Sequence, residues 1–220
     1  MKKKNLKKLL LAVCCAALLV CVSIGATVAY LTSAQKVVNT FTVGNVTITL
    51  DEAKVNAEGV EVNANGGALA EGEKAPRVGK NSYKLMPGHD YKKDPTVHVD
   101  SNSEPCWVFV KVENGITTFE DTASTITSQI TSTTNGWTQL LKDADGNDVE
   151  GVYYKANVQP GAELKVFDHF KIADDANTKA GWSNVKGANI TVTAYAIQAD
   201  GFTNAADAWE QVKGITVTNP

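Results

Sequence analysis

The sequence predicts an all-β protein, an antiparallel β-sandwich with short peripheral helices, placed behind an N-terminal signal helix that is cleaved off. Three observations carry this. Short runs rich in Val, Ile, Thr and Phe alternate apolar and polar side chains, as at 41–50, 96–99 and 188–199. Pro-Gly and Asp-Gly pairs punctuate them, at Pro87-Gly88, Pro160-Gly161 and Asp145-Gly146. Few stretches carry a helical period, and many short strands with turn signals between them favour a sandwich.

The chain opens with Lys2, Lys3, Lys4, Lys7 and Lys8 ahead of an apolar segment, Leu9 to Ser23. Small residues follow, with Thr27 and Ala29 at the −3 and −1 positions of a processing site. Cleavage after Ala29 leaves Tyr30 as the first residue. Residues 9–34 carry no charge and are long enough to span a bilayer, so an uncleaved anchor is the alternative. The lysines place the N-terminus on the cytoplasmic side either way. The expected organisation is therefore 1–29 signal peptide, 30–40 an extended segment, and 41–220 a single β domain with a loop insertion at about 51–82.

Within that domain Phe41, Val43, Val46, Ile48 and Leu50 form the apolar side of a first strand, with Gly44 suited to a bulge. The stretch 51–82 is rich in Ala, Gly, Glu, Asn and Lys and reads as poorly ordered, although Val55, Val60 and Val62 suit a short edge hairpin. Cys106 to Glu113 is the strongest strand. Its centre is apolar at consecutive positions, as expected where both faces are covered. Ile126 and Ile130 suggest a short helix weakened by surrounding threonines. Asp143 to Asp148 reads as a hairpin turn, and Asn204 as the N-cap of a last helix ending near Val212, with Asp207 three residues on.

Several of these stretches share a pattern. The run A-T-V-A-Y-L-T leads into N-T-F-T-V-G-N-V-T-I-T-L, and L-x-P-G-x-x-Y-x-K-D-P precedes C-W-V-F-V-K-V. With the ending A-Y-A-I-Q-A-D-G-F, this resembles the TasA/camelysin family of secreted Gram-positive proteins. The resemblance implies a jelly-roll sandwich, release by a signal peptidase of SipW type, and a place in the biofilm matrix or at the cell surface. It further implies fibre assembly, each subunit donating its N-terminal strand head-to-tail to the next copy. Tyr30, Leu31, Val37 and Val38 are then the donor contacts, and an anchor or accessory matrix protein is a further partner. Tyr30 to Val38 can reach about 30 Å at roughly 3.3 Å per residue. A monomeric binding or adhesion module is the competing reading, and a camelysin-like metallo-endopeptidase a third.

The chemistry of the side chains favours a non-catalytic protein. The chain holds 21 basic and 24 acidic residues, and removal of the five N-terminal lysines leaves a net charge of −8. That argues against nucleic acid or an anionic membrane as partner. Only Cys106 follows the apolar segment, so no intramolecular disulfide is expected in the processed chain, and a buried thiol is favoured over an intermolecular disulfide or a nucleophile. No H-E-x-x-H occurs, and a zinc site would need His89, His98 and His169 to converge. Asp143, Asp145, Asn147 and Asp148 are spaced somewhat like a calcium loop, but glycine is at the fourth position and the twelfth is Tyr154. No metal or cofactor is expected. Trp107, Trp137, Trp182 and Trp209 read as core and cap residues rather than a carbohydrate platform.

Overall fold

Residues Cys106–Asn114 form the strand about which the molecule is built, β6 in chain order, and its two faces feed two separate cores. Cys106, Val108, Val110 and Val112 point into the main core; Trp107 and Phe109 point the other way into a smaller one. The run is apolar at consecutive positions because neither face meets water. The computed structural model describes residues 32–35 and 46–215. The processing site (Thr27, Ala29, Tyr30), the donor contacts Tyr30, Leu31, Val37 and Val38, and the expected bulge at Gly44 lie outside them.

Eleven strands and two α-helices are described: β1 (Thr32–Gln35), β2 (Ile48–Ala53), β3 (Arg77–Val78), β4 (Asp90–Lys92), β5 (Thr96–Val99), β6, α1 (Ile126–Ile130), β7 (Thr138–Gln139), β8 (Val152–Val158), β9 (Glu163–Lys165), β10 (His169–Lys171), β11 (Ile190–Gln198) and α2 (Ala205–Val212). They form a five-stranded sheet in the order β1-β11-β6-β8-β7, a four-stranded sheet β3-β2-β5-β9 and a two-stranded sheet β10-β4. Every pairing is antiparallel. The protein is thus all-β with few helices. Among the described residues, no helix is long and apolar enough to cross a membrane.

The main core draws Ile48, Leu50, Val97 and Val99 from the four-stranded sheet and Val108, Val110, Ala194 and Ala196 from the five-stranded one. Period-two alternation puts these residues on facing surfaces. In β11, Ala194 and Ala196 face this core while Tyr195 and Ile197 face the smaller one. The smaller core is roofed by α2, whose Ala205, Ala208, Trp209 and Val212 are buried. Asn204 caps that helix: its side chain accepts from the Asp207 amide at 2.9 Å and donates to the Asp207 carboxylate at 2.7 Å.

The turns follow their residue chemistry. In Met86-Pro87-Gly88-His89 the His89 amide donates to the Met86 carbonyl, with φ of 76° at Gly88. The same bond links Ala162 to Gln159 around Pro160-Gly161, where Gly161 has φ of 77°. Both are type II turns, which need positive φ at the third residue. The stretch 51–82 departs from a poorly ordered loop. It contains the end of β2, the bridge Val55–Glu61 and β3, and turns around Asn56 and Asn63 whose side chains accept from nearby backbone amides. Asx turns of this kind order a chain without an apolar pattern, so periodicity gives no sign of them. Trp107, Trp137 and Trp209 are buried and Trp182 is half-buried against Phe119.

Candidate functional site

At one side of the five-stranded sheet the short edge strand β1 covers only part of the long strand β11. Its inner edge is paired with β6 along all nine residues, Ile190↔Asn114 through Gln198↔Cys106. Its outer edge is paired with β1 only from Thr32↔Ile197 to Gln35↔Ala194. Among the described residues, Ile190 to Thr193 have no strand partner on that side. The four are uncharged (Ile, Thr, Val, Thr). The edges of the four-stranded sheet differ: β9 exposes Glu163 and Lys165, and β3 carries Arg77. Charged edges discourage pairing with another chain, and an uncharged one does not.

Beside the open part of β11 runs a cleft of about 690 Å³, with Asn189–Val192 on one wall and Leu50–Glu52 and Val78–Ser82 on the other. It continues into a more apolar hollow of about 520 Å³ bounded by Tyr83, Leu85, Phe170, Val185 and Ala188. Between them sits a polar group of three, the buried Glu52 and Lys93 with the half-buried Asn81. Glu52 Oε2 accepts from Lys93 Nζ at 2.5 Å, and Glu52 Oε1 accepts from Asn81 Nδ2 at 3.0 Å. The Glu52 and Lys93 side chains are 5 % and 10 % exposed. Asn81 also donates to the Ala53 carbonyl at 2.8 Å and accepts from the Val55 amide at 2.9 Å. Burial, with the charges of Glu52 and Asp94 nearby, pushes the Tyr83 phenol well above its ordinary range. This trio is absent from the residues the sequence singles out.

The histidines do not converge on a common ligand. His98 is on β5, where its Nε2 lies 2.9 Å from Asp51 and its Nδ1 3.5 Å from Glu163. His169 is on β10, with Nε2 3.1 Å from Ser124 Oγ. His89 follows the Pro-Gly turn and faces the Tyr91 ring at 6.0 Å. Among the described residues, the group of His, Cys and carboxylate ligands close enough to share an ion is Asp143, Asp145 and Glu210, with no histidine in it. Lys213 already lies inside that group, 3.3 Å from Asp143 and 2.6 Å from Glu210. Asp143 Oδ1 accepts from the amides of Asp145 and Asn147, which closes the turn on itself.

Ser124, His169 and Asp168 form an arrangement that their spacing in the sequence conceals. Asp168 Oδ2 is 3.9 Å from His169 Nδ1, beyond hydrogen-bond reach, so the imidazole lacks the orienting carboxylate of a Ser-His-Asp triad. The other Asp168 oxygen accepts from Lys165 and Lys92 at 2.7 and 2.9 Å. Although partial burial opposes them, the two lysines hold its carboxyl down at about 2.

Cys106 is fully buried, and burial pushes its thiol up to about 12. Its sulfur has no surface to offer a second chain. Since the thiolate is the reactive form, a water-soluble thiol reagent at neutral pH is expected to leave the native protein unlabelled and to label it fully after denaturation. Rapid native labelling would mean that β6 opens locally.

No family model, curated protein or solved structure matches the chain. The geometry at the β11 edge is therefore the firmest guide to function.

Proposed function

We propose that this is a secreted, non-catalytic structural subunit of an extracellular matrix, with a jelly-roll sandwich whose N-terminal strand is exchanged between copies. The observation that carries the reading is the pairing of β1 on the outer edge of β11. A short N-terminal strand holds a sheet edge there through backbone hydrogen bonds, and backbone bonds are indifferent to which copy supplies them. Residues 36–45 separate β1 from Val46, so an N-terminal strand can reach a neighbour while its own domain stays folded. Head-to-tail exchange is heterologous and propagates as a filament. A SipW-type peptidase would release the tail by cutting after Ala29, and the resemblance to the TasA/camelysin family points the same way.

Deletion of Tyr30–Lys36 removes β1 and is expected to abolish filaments while leaving a folded monomer. Negative-stain electron microscopy and sedimentation of the secreted protein, with its N-terminus sequenced, read this out. A truncated chain that polymerises as well as the full one overturns the reading. Full-length protein that stays monodisperse favours the monomeric binding module.

A further inference from the structure

Lys93 and Asn81 meet at the two oxygens of the Glu52 carboxylate. We propose that Lys93 Nζ and Asn81 Cγ join spontaneously into an isopeptide cross-link, with Glu52 as the proton carrier. The two reacting groups are held on the two oxygens of one buried carboxylate, at 2.5 Å and 3.0 Å. Proximity of this kind replaces an encounter in solution with a step inside a fixed frame. Asn81 is further prepared for attack, because its carbonyl oxygen accepts from the Val55 amide at 2.9 Å. That donor lies where negative charge develops when the carbonyl becomes tetrahedral.

The step balances without an outside reagent. Glu52 takes a proton from the Lys93 ammonium, leaving a free amine. The amine attacks Asn81 Cγ, and the charge collects on Oδ1 opposite the Val55 amide. Glu52 returns its proton to Nδ2 and takes one from the new C–N nitrogen. The C–Nδ2 bond breaks, Oδ1 becomes a carbonyl again, and the ammonia leaves with the last proton as ammonium. Glu52 ends as the carboxylate it began as. The adjoining cleft gives the ammonium a way out, since Glu52, Asn81 and Lys93 all line it.

The bond would tie the segment after β3 to the segment between β4 and β5. It requires no second copy of the chain and is independent of assembly. Its chemical class is lysine–asparagine transamidation, and its substrate is the protein itself.

Intact mass spectrometry of the folded full chain, followed by tryptic mapping, tests it. The expected mass is lighter than that of the sequence by one ammonia. The digest should contain a branched species joining 81–84 to 93–111, because a modified Lys93 resists trypsin. Glu52→Gln and Asn81→Ala are each expected to keep the full mass and to melt at a lower temperature. Should Glu52→Gln fail to fold, Asn81→Ala, which retains the Lys93–Glu52 pair, carries the comparison. Folded wild-type protein of full mass, with a free 81–84 peptide, overturns the proposal. So does loss of ammonia without the branched peptide, which marks a succinimide at Asn81-Ser82. A branched peptide that persists in Glu52→Gln overturns the role of Glu52.

Discussion

Lys93→Met is expected to lower the folding free energy by about 3–5 kcal/mol, because it leaves Glu52 charged and buried without its partner. Glu52 is 4 % exposed overall, so little water reaches the carboxylate in place of the ammonium. Asn81 Nδ2 remains as a donor to one carboxylate oxygen, but a neutral amide does not offset a full charge. The double variant Glu52→Leu/Lys93→Met removes both charges, and apolar replacement of a buried pair is often neutral. Urea denaturation of the wild type, the single and the double variant separates the cases. A simple ion pair gives a large loss in the single variant and recovery in the double. A covalent Lys93–Asn81 bond gives a loss in both, because neither variant has the nitrogen that forms it. A single variant within about 0.5 kcal/mol of the wild type would mean that Glu52 is hydrated or repartnered.

Phe109→Ala is expected to cost about 3–5 kcal/mol through the cavity it leaves. Phe109 has no exposed surface, and its ring centroid lies 5.4 Å from that of Trp209, 6.1 Å from Tyr154 and 6.4 Å from Trp107. The loss should appear first at α2. Eight residues are too few to hold a helix in water without a docked face, and Trp209 anchors that face. Tryptophan fluorescence is therefore expected to shift to longer wavelength before the sheets melt, as followed by far-ultraviolet circular dichroism. Against a total stability of about 5–15 kcal/mol for a typical domain, such a loss moves the urea midpoint substantially. Coincident transitions at the wild-type midpoint would show that the smaller core contributes little.

The strands and turns were legible because one physical signal marks each of them. Alternation located β11 and the inward side of β2, an apolar run at consecutive positions located β6, and Pro-Gly pairs located two type II turns that the backbone angles bear out. Asn204 caps the last helix as its side-chain chemistry predicts, and Thr125, which the sequence reading does not single out, caps α1 by accepting from the Ser128 amide at 3.1 Å. The polar trio was missed although part of its signal lay in the same alternation. Val46, Ile48 and Leu50 are inward, and the next inward position is Glu52; Tyr91, Val97 and Val99 are inward, and Lys93 falls in the same odd-numbered series. A charged residue at an inward position needs a partner, so two such residues of opposite sign are a pairing forecast. Asn81 gave no such sign, because it sits in a stretch without periodicity and is placed by its bonds to Ala53 and Val55. The same is true of Ser124 and His169, 45 positions apart and brought together only by the fold.

The order of strands in the five-stranded sheet also sets when the chain can fold. β6 lies beside β11, so its residues pair with partners 76 to 92 positions later, and β1 waits for partners as much as 165 positions away. Contacts so distant in sequence close slowly, because the entropy of the intervening loop is lost before any bond rewards it. β11 is the last strand described, and it supplies Ala194 and Ala196 to the main core as well as Tyr195 and Ile197 to the smaller one. A chain emerging N-terminus first from a ribosome or a translocation channel cannot complete either core until β11 is out. Until then neither core is closed, although the four-stranded sheet has all its strands.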